Sequence, residues 1–298
     1  MDHAELTRIV NDIAYRCVAA QTPGYFECLE ALDALEFHVL DHADQSYGSS
    51  EIGSIRDEAL RLHTRLTAIA QATIDNLIHD IRTQRLASPA LKQLFNQYAS
   101  SVSDTLIADQ PDYDLFDDFL SHLFQIDYEP SETRSRSKEM FYLQPTPGRI
   151  ILDMLNELPF TQADRFYDLG SGLGRVPIIV SLLTDACAVG IEYEPTYIHY
   201  SRCSAQKLGI VDVEFRNMDA QEADLSDGTI FFMYTPFTGS ILRKVLNSLR
   251  DLSQQRHITL CTYGPTTPLI EQESWLYPIR YAKGEIYRLA IFSSVGLI

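Results

Sequence analysis

The 298-residue chain has little of several features that mark particular classes of protein. Its five cysteines are scattered, odd in number and never spaced as C-x-x-C, which argues against a disulfide framework or a zinc finger and favours a reducing cytosol. No run of ~18 apolar residues is present, so no membrane-spanning helix is expected. The first residues lack the basic and then apolar stretches of a signal peptide. No cluster of His, Cys, Asp and Glu has metal-ligand spacing, so no metal site is predicted.

Basic residues are scarce as well. The chain has 24 Lys and Arg against 41 Asp and Glu, a formal charge of −17. Residues 1–140 hold 24 acidic and 11 basic residues, a net of −13, and residues 141–298 hold the other 17 and 13, a net of −4. Such a surplus of negative charge repels phosphate backbones, so nucleic acid is a disfavoured partner.

The first ~125 residues have the periodicity of amphipathic helices, with apolar residues recurring at three- and four-residue spacing. Examples are Ile55, Leu62, Leu66, Ile69, Leu77 and Ile81, and then Leu91, Leu94, Phe95 and Tyr98. With 45% apolar residues the chain can build real cores. We expect four to six helices here, forming an all-α N-terminal domain over residues 1–126 that binds or covers the substrate.

Residues 127–140 have almost no apolar content and separate this helical part from the rest of the chain. Such a composition predicts an exposed linker. A mobile lid over a ligand is the alternative, and the composition leaves both open.

Strand and helix patterns alternate over residues 141–298. Short apolar strands are predicted at 165–169, 188–191, 213–216, 229–233 and 257–261, with two more near 276–281 and 286–293. Helices are predicted before the first strand, from Thr146-Pro147 onward, and at 175–184, 196–208 and 241–252. This pattern indicates an α/β fold, a Rossmann-like, mainly parallel seven-stranded sheet with helices on both faces. The ligand of such a sheet lies beyond the carboxyl ends of its strands.

A glycine-rich sequence lies at one of those ends. Gly170, Gly172 and Gly174 follow the first strand with the spacing G-x-G-x-G, whereas the dinucleotide fingerprint is G-x-G-x-x-G. Glycines at such a turn let the backbone approach a ligand closely. Glu192 ends the second strand, where a carboxylate can bind the two hydroxyls of a ribose. A ligand with a ribose and a charged amino-acid tail fits this pattern better than a dinucleotide does.

The residues around these motifs resemble a known family. Phe166–Arg175, Gly190–Glu192 and Asn217–Ala220 resemble the class I S-adenosylmethionine-dependent methyltransferases, most closely the Dot1-like branch, over about Phe141 to Phe292. The resemblance implies S-adenosylmethionine as cofactor. It implies that Asp168 orders the methionine end, that Glu192 binds the ribose and that Asp219 accepts from the adenine amino group. The full cofactor-binding set that it suggests is Tyr142, Thr146, Asp168, Gly170, Ser171, Gly172, Gly174, Glu192, Asp219 and Ala220.

The sequence Tyr234-Thr-Pro-Phe237 follows the fourth strand, a position that faces the methyl group in this family. It loosely resembles the Asn-Pro-Pro-Tyr motif of amide and amine methyltransferases, with Tyr in place of Asn and Thr in place of the first Pro. Tyr234, Pro236 and Phe237 are therefore the predicted catalytic residues. Methyl transfer from a sulfonium is an in-line displacement that mainly requires alignment and desolvation of the acceptor. A tight turn that only packs is the structural alternative.

Several alternatives stay open at this point. Asp168 can be a turn cap, Glu192 a solvated strand end, and Asp219 one acid of an acid-rich stretch. An NAD-linked oxidoreductase, or a regulatory protein that binds the cofactor without turnover, is the alternative to a methyltransferase. The acceptor is open between a protein side chain, such as the lysine that the Dot1-like resemblance suggests, and a small molecule.

Overall fold

The structure is a computed structural model, and it describes residues 3–19, 23–42, 50–101, 113–126, 130–281 and 283–296. The chain divides into two compact units, Met1–Asp80 and Ile81–Ile298. Within the ranges that the structure describes, no helix is both long and apolar enough to cross a membrane.

The first unit is helical, as the periodicity predicts. Its elements are α1 (His3–Ala19), α2 (Tyr25–Leu35) with a π-helical turn at Glu36–Leu40, and α3 (Ser50–Arg82), which ends just inside the second unit. Each helix buries one stripe of side chains. Leu6, Val10 and Ile13 of α1 lie on such a stripe because residues three and four apart share a helix face.

Two further helices, α4 (Ser88–Ser101) and α5 (Leu115–Phe124), belong to the second unit. Phe95 of α4 packs edge-on against Phe119 of α5, with ring centroids 5.6 Å apart. A Cβ on Gly148, the first residue of the next helix, would collide with Phe116, so this glycine lets that helix pack closely on α5. The unit border after Asp80 differs from the border predicted after residue 126, because Phe116 of α5 packs against Gly148 in the next helix and α4 packs against α5. The three-part domain division stays a prediction.

The α/β part contains the predicted seven-stranded sheet. Its strands are β1 (Arg165–Leu169), β2 (Cys187–Glu192), β3 (Val213–Asn217), β4 (Ile230–Tyr234), β5 (Thr259–Tyr263), β6 (Tyr277–Arg280) and β7 (Ala290–Ser293). Its helices are α6 (Gly148–Glu157), α7 (Arg175–Leu183), α8 (Pro195–Leu208), α9 (Gly239–Ser253) and the short α10 (Thr267–Ile270). The strand order is β3-β2-β1-β4-β5-β7-β6, and only β7 runs antiparallel to its neighbours. The prediction of a mainly parallel sheet is confirmed.

This topology fixes where a ligand can bind. β1 lies between β2 and β4, and chain connections leave the sheet on opposite sides of β1. In sheets of this kind the ligand crevice lies outside the carboxyl ends of these strands, at the point where the strand order reverses. The register places Asp168 of β1 beside Gly190 of β2, and Tyr234 of β4 beside Tyr263 of β5. The predicted site residues thus meet at one edge of the sheet.

Candidate functional site

The loop between β1 and α7 is a turn that only glycines can form without strain. Gly170, Gly172 and Gly174 have φ angles of +91°, +52° and +78°, in the region that L side chains rarely adopt. The backbone N–H groups of Gly170 and Ser171 both donate to the carbonyl oxygen of Ile191 in β2, at 2.8 and 2.9 Å. The loop is therefore fastened to the neighbouring strand, and it packs closely, since a Cβ on Gly170 would collide with Pro236, one on Gly172 with Leu143, and one on Gly174 with Phe215 and Ser201.

Glu192, the last residue of β2, is bonded to this loop. Its Oε2 accepts a hydrogen bond from the N–H of Gly172 at 2.9 Å, and its Oε1 accepts one from the N–H of Glu194 at 2.8 Å. Burial raises the pKa of the Glu192 carboxyl, and these two hydrogen bonds oppose that rise. Each carboxylate oxygen has a second lone pair, so Glu192 can still accept hydrogen bonds from a ligand.

Asp168 and Ser171 are buried polar residues without protein partners. Asp168 is 3% exposed, and no residue in the described part of the chain donates a hydrogen bond to its carboxyl group. Burial and then the nearby charge of Glu192 raise the pKa of Asp168 well above its usual range. The hydroxyl of Ser171 is buried and also has no partner among the described residues. Buried polar groups in native proteins are almost always hydrogen-bonded, so the carboxyl of Asp168 has capacity for a donor from a ligand. The hydroxyl of Ser171 lies beside Gly190, where a Cβ would come within 2.7 Å of it.

Asp219 and Ala220 lie just after β3, as predicted, at the start of the 3₁₀ turn Ala220–Glu222. The carboxylate of Asp219 accepts from the backbone N–H of Gln221 at 3.0 Å and from its side-chain amide at 2.7 Å. It therefore caps its own turn. A carboxylate has capacity for further donors, so the predicted adenine contact stays a prediction.

Residues 130–142, which we call the strap, are exposed but firmly attached. The backbone N–H groups of Thr133 and Arg134 donate to Glu194 after β2, at 2.9 and 2.8 Å. At its other end, Glu139 accepts from the N–H and the hydroxyl of Ser240 at the start of α9, at 2.9 and 2.8 Å. The interpretation as a plain linker does not fit these contacts. The first three positions of the predicted linker, 127–129, lie outside the described residues.

The strap crosses the crevice. Because β2 and β4 flank β1, a segment attached after both strands passes over the glycine loop that follows β1. The next residue, Leu143, lies against the loop, and a Cβ on Gly172 would come within 2.5 Å of its Cδ1. The composition alone could not reveal that the strap lies here, since a polar segment has the same composition whether it is bound to the protein surface or free.

Tyr142, the last residue of the strap, and Thr146, which follows it, are the two predicted cofactor contacts in this region, and their surroundings differ. The ring of Tyr142 is 76% exposed and is stacked by the guanidinium of Arg136, 3.4 Å from the ring centroid. Thr146 is buried, and its carbonyl oxygen lies 3.4 Å from the guanidinium of Arg175. Their contact with a cofactor stays a prediction.

A buried ion pair connects α5 to the start of α7. Arg175, directly after the last glycine of the loop, pairs with Asp117, which is 6% exposed. Asp117 also accepts from the N–H of Gly148 at 3.0 Å, and Arg175 donates to Ser121 at 3.1 Å. The pKa of Asp117 is raised to about 6, because the effect of burial exceeds the opposing effects of Arg175 and the hydrogen bonds. Sequence reasoning missed this pair, which holds the glycine loop and α5 in register.

The predicted catalytic stretch follows β4, at the same edge as the glycine loop. A Cβ on Gly170 would collide with the ring of Pro236, so the two loops touch. Thr235 has a φ of +40°, a strained conformation for a β-branched residue, and its hydroxyl lies 3.2 Å from the carbonyl oxygen of Tyr263. Phe237 is 4% exposed and packs in the hydrophobic core.

Tyrosines surround the end of β4. The ring centroid of Tyr234 is 4.8 Å from that of Tyr263, and Tyr287 is 5.7 Å from Tyr263. The buried hydroxyl of Tyr234 makes no hydrogen bond of normal geometry among the described residues. Burial, and then the neighbouring hydroxyl of Tyr113, raise its pKa, so it stays protonated and can act as a donor. Sequence reasoning missed Tyr113 and Tyr287, which no motif marks.

No group of three or more His, Cys, Asp or Glu side chains in the described ranges is arranged to hold a metal ion. The groups that the structure places at the site are carboxyl groups, hydroxyls, tyrosine rings and backbone N–H groups.

No known protein family and no curated protein matches the chain. Among solved structures it is similar to an RNA methyltransferase from Salinibacter ruber in complex with S-adenosyl-L-homocysteine, at 28% identity over 50% of this chain and 92% of that one, with a TM-score of 0.40. A SAM-dependent methyltransferase from Aquifex aeolicus has 16% identity over 49% and 89%, with a TM-score of 0.40. MtNAS in complex with MTA and tNA has 12% identity over 97% and 96%, with a TM-score of 0.40. At this TM-score none of these likenesses assigns a ligand or an activity to this chain.

Proposed function

We propose that the protein is an S-adenosylmethionine-dependent methyltransferase. The observation that carries the proposal is the buried carboxyl group of Asp168, to which no described residue donates a hydrogen bond, beside the positive-φ glycine loop and Glu192. A ligand with an ammonium group and a ribose supplies donors for these acceptors. The resemblance of the same residues to the class I methyltransferases adds S-adenosylmethionine as the particular ligand.

The donor chemistry of the site favours this ligand over a dinucleotide. Asp168 and Glu192 place two carboxyl groups at the loop, close enough for the charge of Glu192 to raise the pKa of Asp168. A pyrophosphate bound there would face two acids, and like charges at such distances repel strongly where water is excluded. An ammonium group beside Asp168 would instead stabilise the ionised form of its carboxyl group. The NAD-linked alternative is disfavoured for this reason.

The bound cofactor would supply a methyl group on a sulfonium sulfur. The neutral thioether that remains is a good leaving group, so the transfer needs no metal ion. The residues of the chain would align the acceptor. Pro236 fixes the backbone after β4, and Tyr234 offers a protonated hydroxyl that can donate to an acceptor lone pair or carbonyl. Phe237 and the strap would exclude water from the crevice.

The acceptor is proposed at the level of class only. The Dot1-like resemblance favours a protein lysine, and a small molecule remains the second candidate. The acidic charge of the chain, −17, suits a basic protein better than a nucleic acid. A regulatory protein that binds the cofactor without turnover is the alternative function, because Tyr234 and Thr235 depart from the Asn-Pro-Pro-Tyr pattern.

Two measurements test the proposal. Calorimetry with S-adenosylmethionine, S-adenosylhomocysteine and NAD should show binding of the first two and none of NAD; binding of NAD alone would contradict it. Incubation of the protein with labelled S-adenosylmethionine and cell lysate should then label an acceptor, which mass spectrometry identifies. Tight binding without any labelled product would favour the regulatory alternative.

A further inference from the structure

Glu194 lies two residues beyond the ribose-binding candidate Glu192, and its carboxylate is the attachment point of the strap. Three of its hydrogen bonds come from the strap, namely from the N–H of Thr133 at 2.9 Å, the hydroxyl of Thr133 at 2.6 Å and the N–H of Arg134 at 2.8 Å. The N–H of Thr196 at the start of α8 donates a fourth, at 2.9 Å. The residue is only 4% exposed.

This arrangement keeps Glu194 charged. Burial by itself raises the pKa of the carboxyl, but the hydrogen bonds from Thr133, Thr196 and Arg134 outweigh it and lower the pKa to about 2. Hydrogen bonds to an ionised group are roughly twice as strong as neutral ones. Arg134 adds a second contact, since its guanidinium donates to the carbonyl oxygen of Tyr193 at 3.0 Å and lies 5.1 Å from the centre of that ring.

The backbone of the same residue reaches the proposed ribose site. The N–H of Glu194 donates to Oε1 of Glu192 at 2.8 Å, and the other oxygen of Glu192 accepts from Gly172 in the glycine loop. A continuous series of hydrogen bonds therefore runs from Thr133 in the strap, through Glu194 and Glu192, to the loop. The strap passes over that loop on its way to the second attachment at Glu139.

We propose that Glu194 is a positioning residue that clasps the strap over the bound cofactor and sets the rate at which the cofactor and its demethylated product leave. The inference rests on the proposed function, since it assumes an S-adenosyl ligand in the crevice. The ligand exits by crossing the carboxyl edge of the sheet, and the strap lies on that edge. Release therefore requires the bonds between Glu194 and Thr133 to break, whereas the methyl-transfer step does not.

The test measures the dissociation rate of S-adenosylhomocysteine by stopped flow, in the full-length wild-type chain and in Glu194→Gln. The amide retains the size of the side chain but loses its charge and one of its two acceptor oxygens. We expect release about tenfold faster, with a much smaller change in the association rate. Thr133→Val, which removes one donor from the other partner, should also speed release, and the double variant should be no faster than Glu194→Gln alone.

Glu139→Gln is the matched control, because Glu139 also accepts from two backbone N–H groups and one hydroxyl but has no bond to Glu192. It should speed release less than Glu194→Gln does. Trypsin gives an independent measure, since the strap contains Arg134, Arg136 and Lys138. Saturating S-adenosylhomocysteine should slow cleavage of the strap in the wild type and much less in Glu194→Gln.

The outcomes separate this inference from the proposed function. If the wild type binds S-adenosylhomocysteine, and a folded Glu194→Gln with an unchanged circular dichroism spectrum releases it at the same rate, the inference is overturned and the proposed function stands. If Glu139→Gln and Glu194→Gln accelerate release equally, the special role of Glu194 is overturned too. If the wild type binds no S-adenosyl compound, the proposed function falls and takes the inference with it.

Discussion

The carboxylate of Glu192 accepts a hydrogen bond from the backbone N–H of Gly172, at 2.9 Å. These residues are 20 positions apart and belong to two motifs that the sequence presents separately, a glycine turn and an acid at a strand end. Their bond makes the glycine loop and the ribose-binding candidate a single rigid unit. It also means that a ligand bound to Glu192 necessarily lies against the loop.

Glu192→Ala should weaken binding of S-adenosylmethionine at least tenfold. The substitution removes the acceptor for both ribose hydroxyls, and hydrogen bonds to charged groups contribute ~1.5–3 kcal/mol. Glu222→Ala, on the exposed side of the 3₁₀ turn after β3, is the control and should bind like the wild type. Calorimetry measures both; unchanged affinity in a folded Glu192→Ala would remove the ribose assignment.

Gly172→Val should abolish cofactor binding, and Leu173→Val should leave it nearly unchanged. A valine at position 172 would have to adopt a φ of +52°, and its Cβ would lie within 2.5 Å of Leu143. A β-branched residue in this region is strained. Equal affinities of the two variants, measured by calorimetry, would show that the loop does not hold the ligand.

Binding of the cofactor should release a proton from Asp168. In the free protein the pKa of this carboxyl is raised, so it carries a proton at a higher pH than usual. An ammonium group at the site favours the ionised form and lowers that pKa, so affinity should rise with pH until Asp168 is ionised without ligand. Calorimetry in two buffers with different ionisation enthalpies counts the protons. Asp168→Asn should remove the release; the same count in that variant would assign the proton elsewhere.

Asp117 should make the protein less stable as the pH rises. Its pKa is about 6 in the folded protein against an ordinary 3.8, so its stabilising contribution is complete below about pH 4 and is lost as the pH passes through about 6. The free energy of unfolding of the wild type, relative to Asp117→Asn, should therefore fall by up to ~3 kcal/mol between pH 4 and 7. Urea denaturation at several pH values measures it. Asp118→Asn, on the exposed side of the same helix, should follow the wild type; a parallel profile for Asp117→Asn would contradict the assignment.

Phe237→Leu and Tyr234→Phe should lower turnover far more than cofactor affinity. Phe237 is buried in the core, and truncation to alanine would cost ~3–5 kcal/mol of stability, so leucine is the cleaner substitution. The hydroxyl of Tyr234 makes no hydrogen bond of normal geometry in the described part of the protein and only neighbours the hydroxyl of Tyr113, so removing it should cost the fold little. A loss in kcat at constant cofactor affinity marks contacts made to the acceptor or the transition state. Normal kcat for both variants on the identified acceptor would make this stretch structural.

Local sequence patterns were sufficient to predict the strands of the α/β part and the residues at their ends. Helical and strand periodicity predicted these elements to within a few residues, since both depend on local spacing. The glycines and Glu192 were placed at one edge because parallel strands of such a sheet end at the same edge. The position of β7 between β5 and β6 was not predictable, because strand order depends on packing and not on local pattern.

The pairing of polar residues around the site depends on the tertiary structure and could not be predicted from local sequence. Asp117 and Arg175 lie 58 positions apart, and Thr133 and Glu194 lie 61 apart. A carboxylate has the same composition and flanking pattern whether it faces water, a guanidinium or a strap of chain. Its partner depends on which helix packs against which loop: Phe116 of α5 lies against Gly148 at the start of α6, and Asp117 of the same helix pairs with Arg175 after the glycine loop. The sequence therefore predicted a linker where the structure has the strap, and the hydrogen bonds from Thr133 and Arg134 to Glu194 could be identified only in the folded protein.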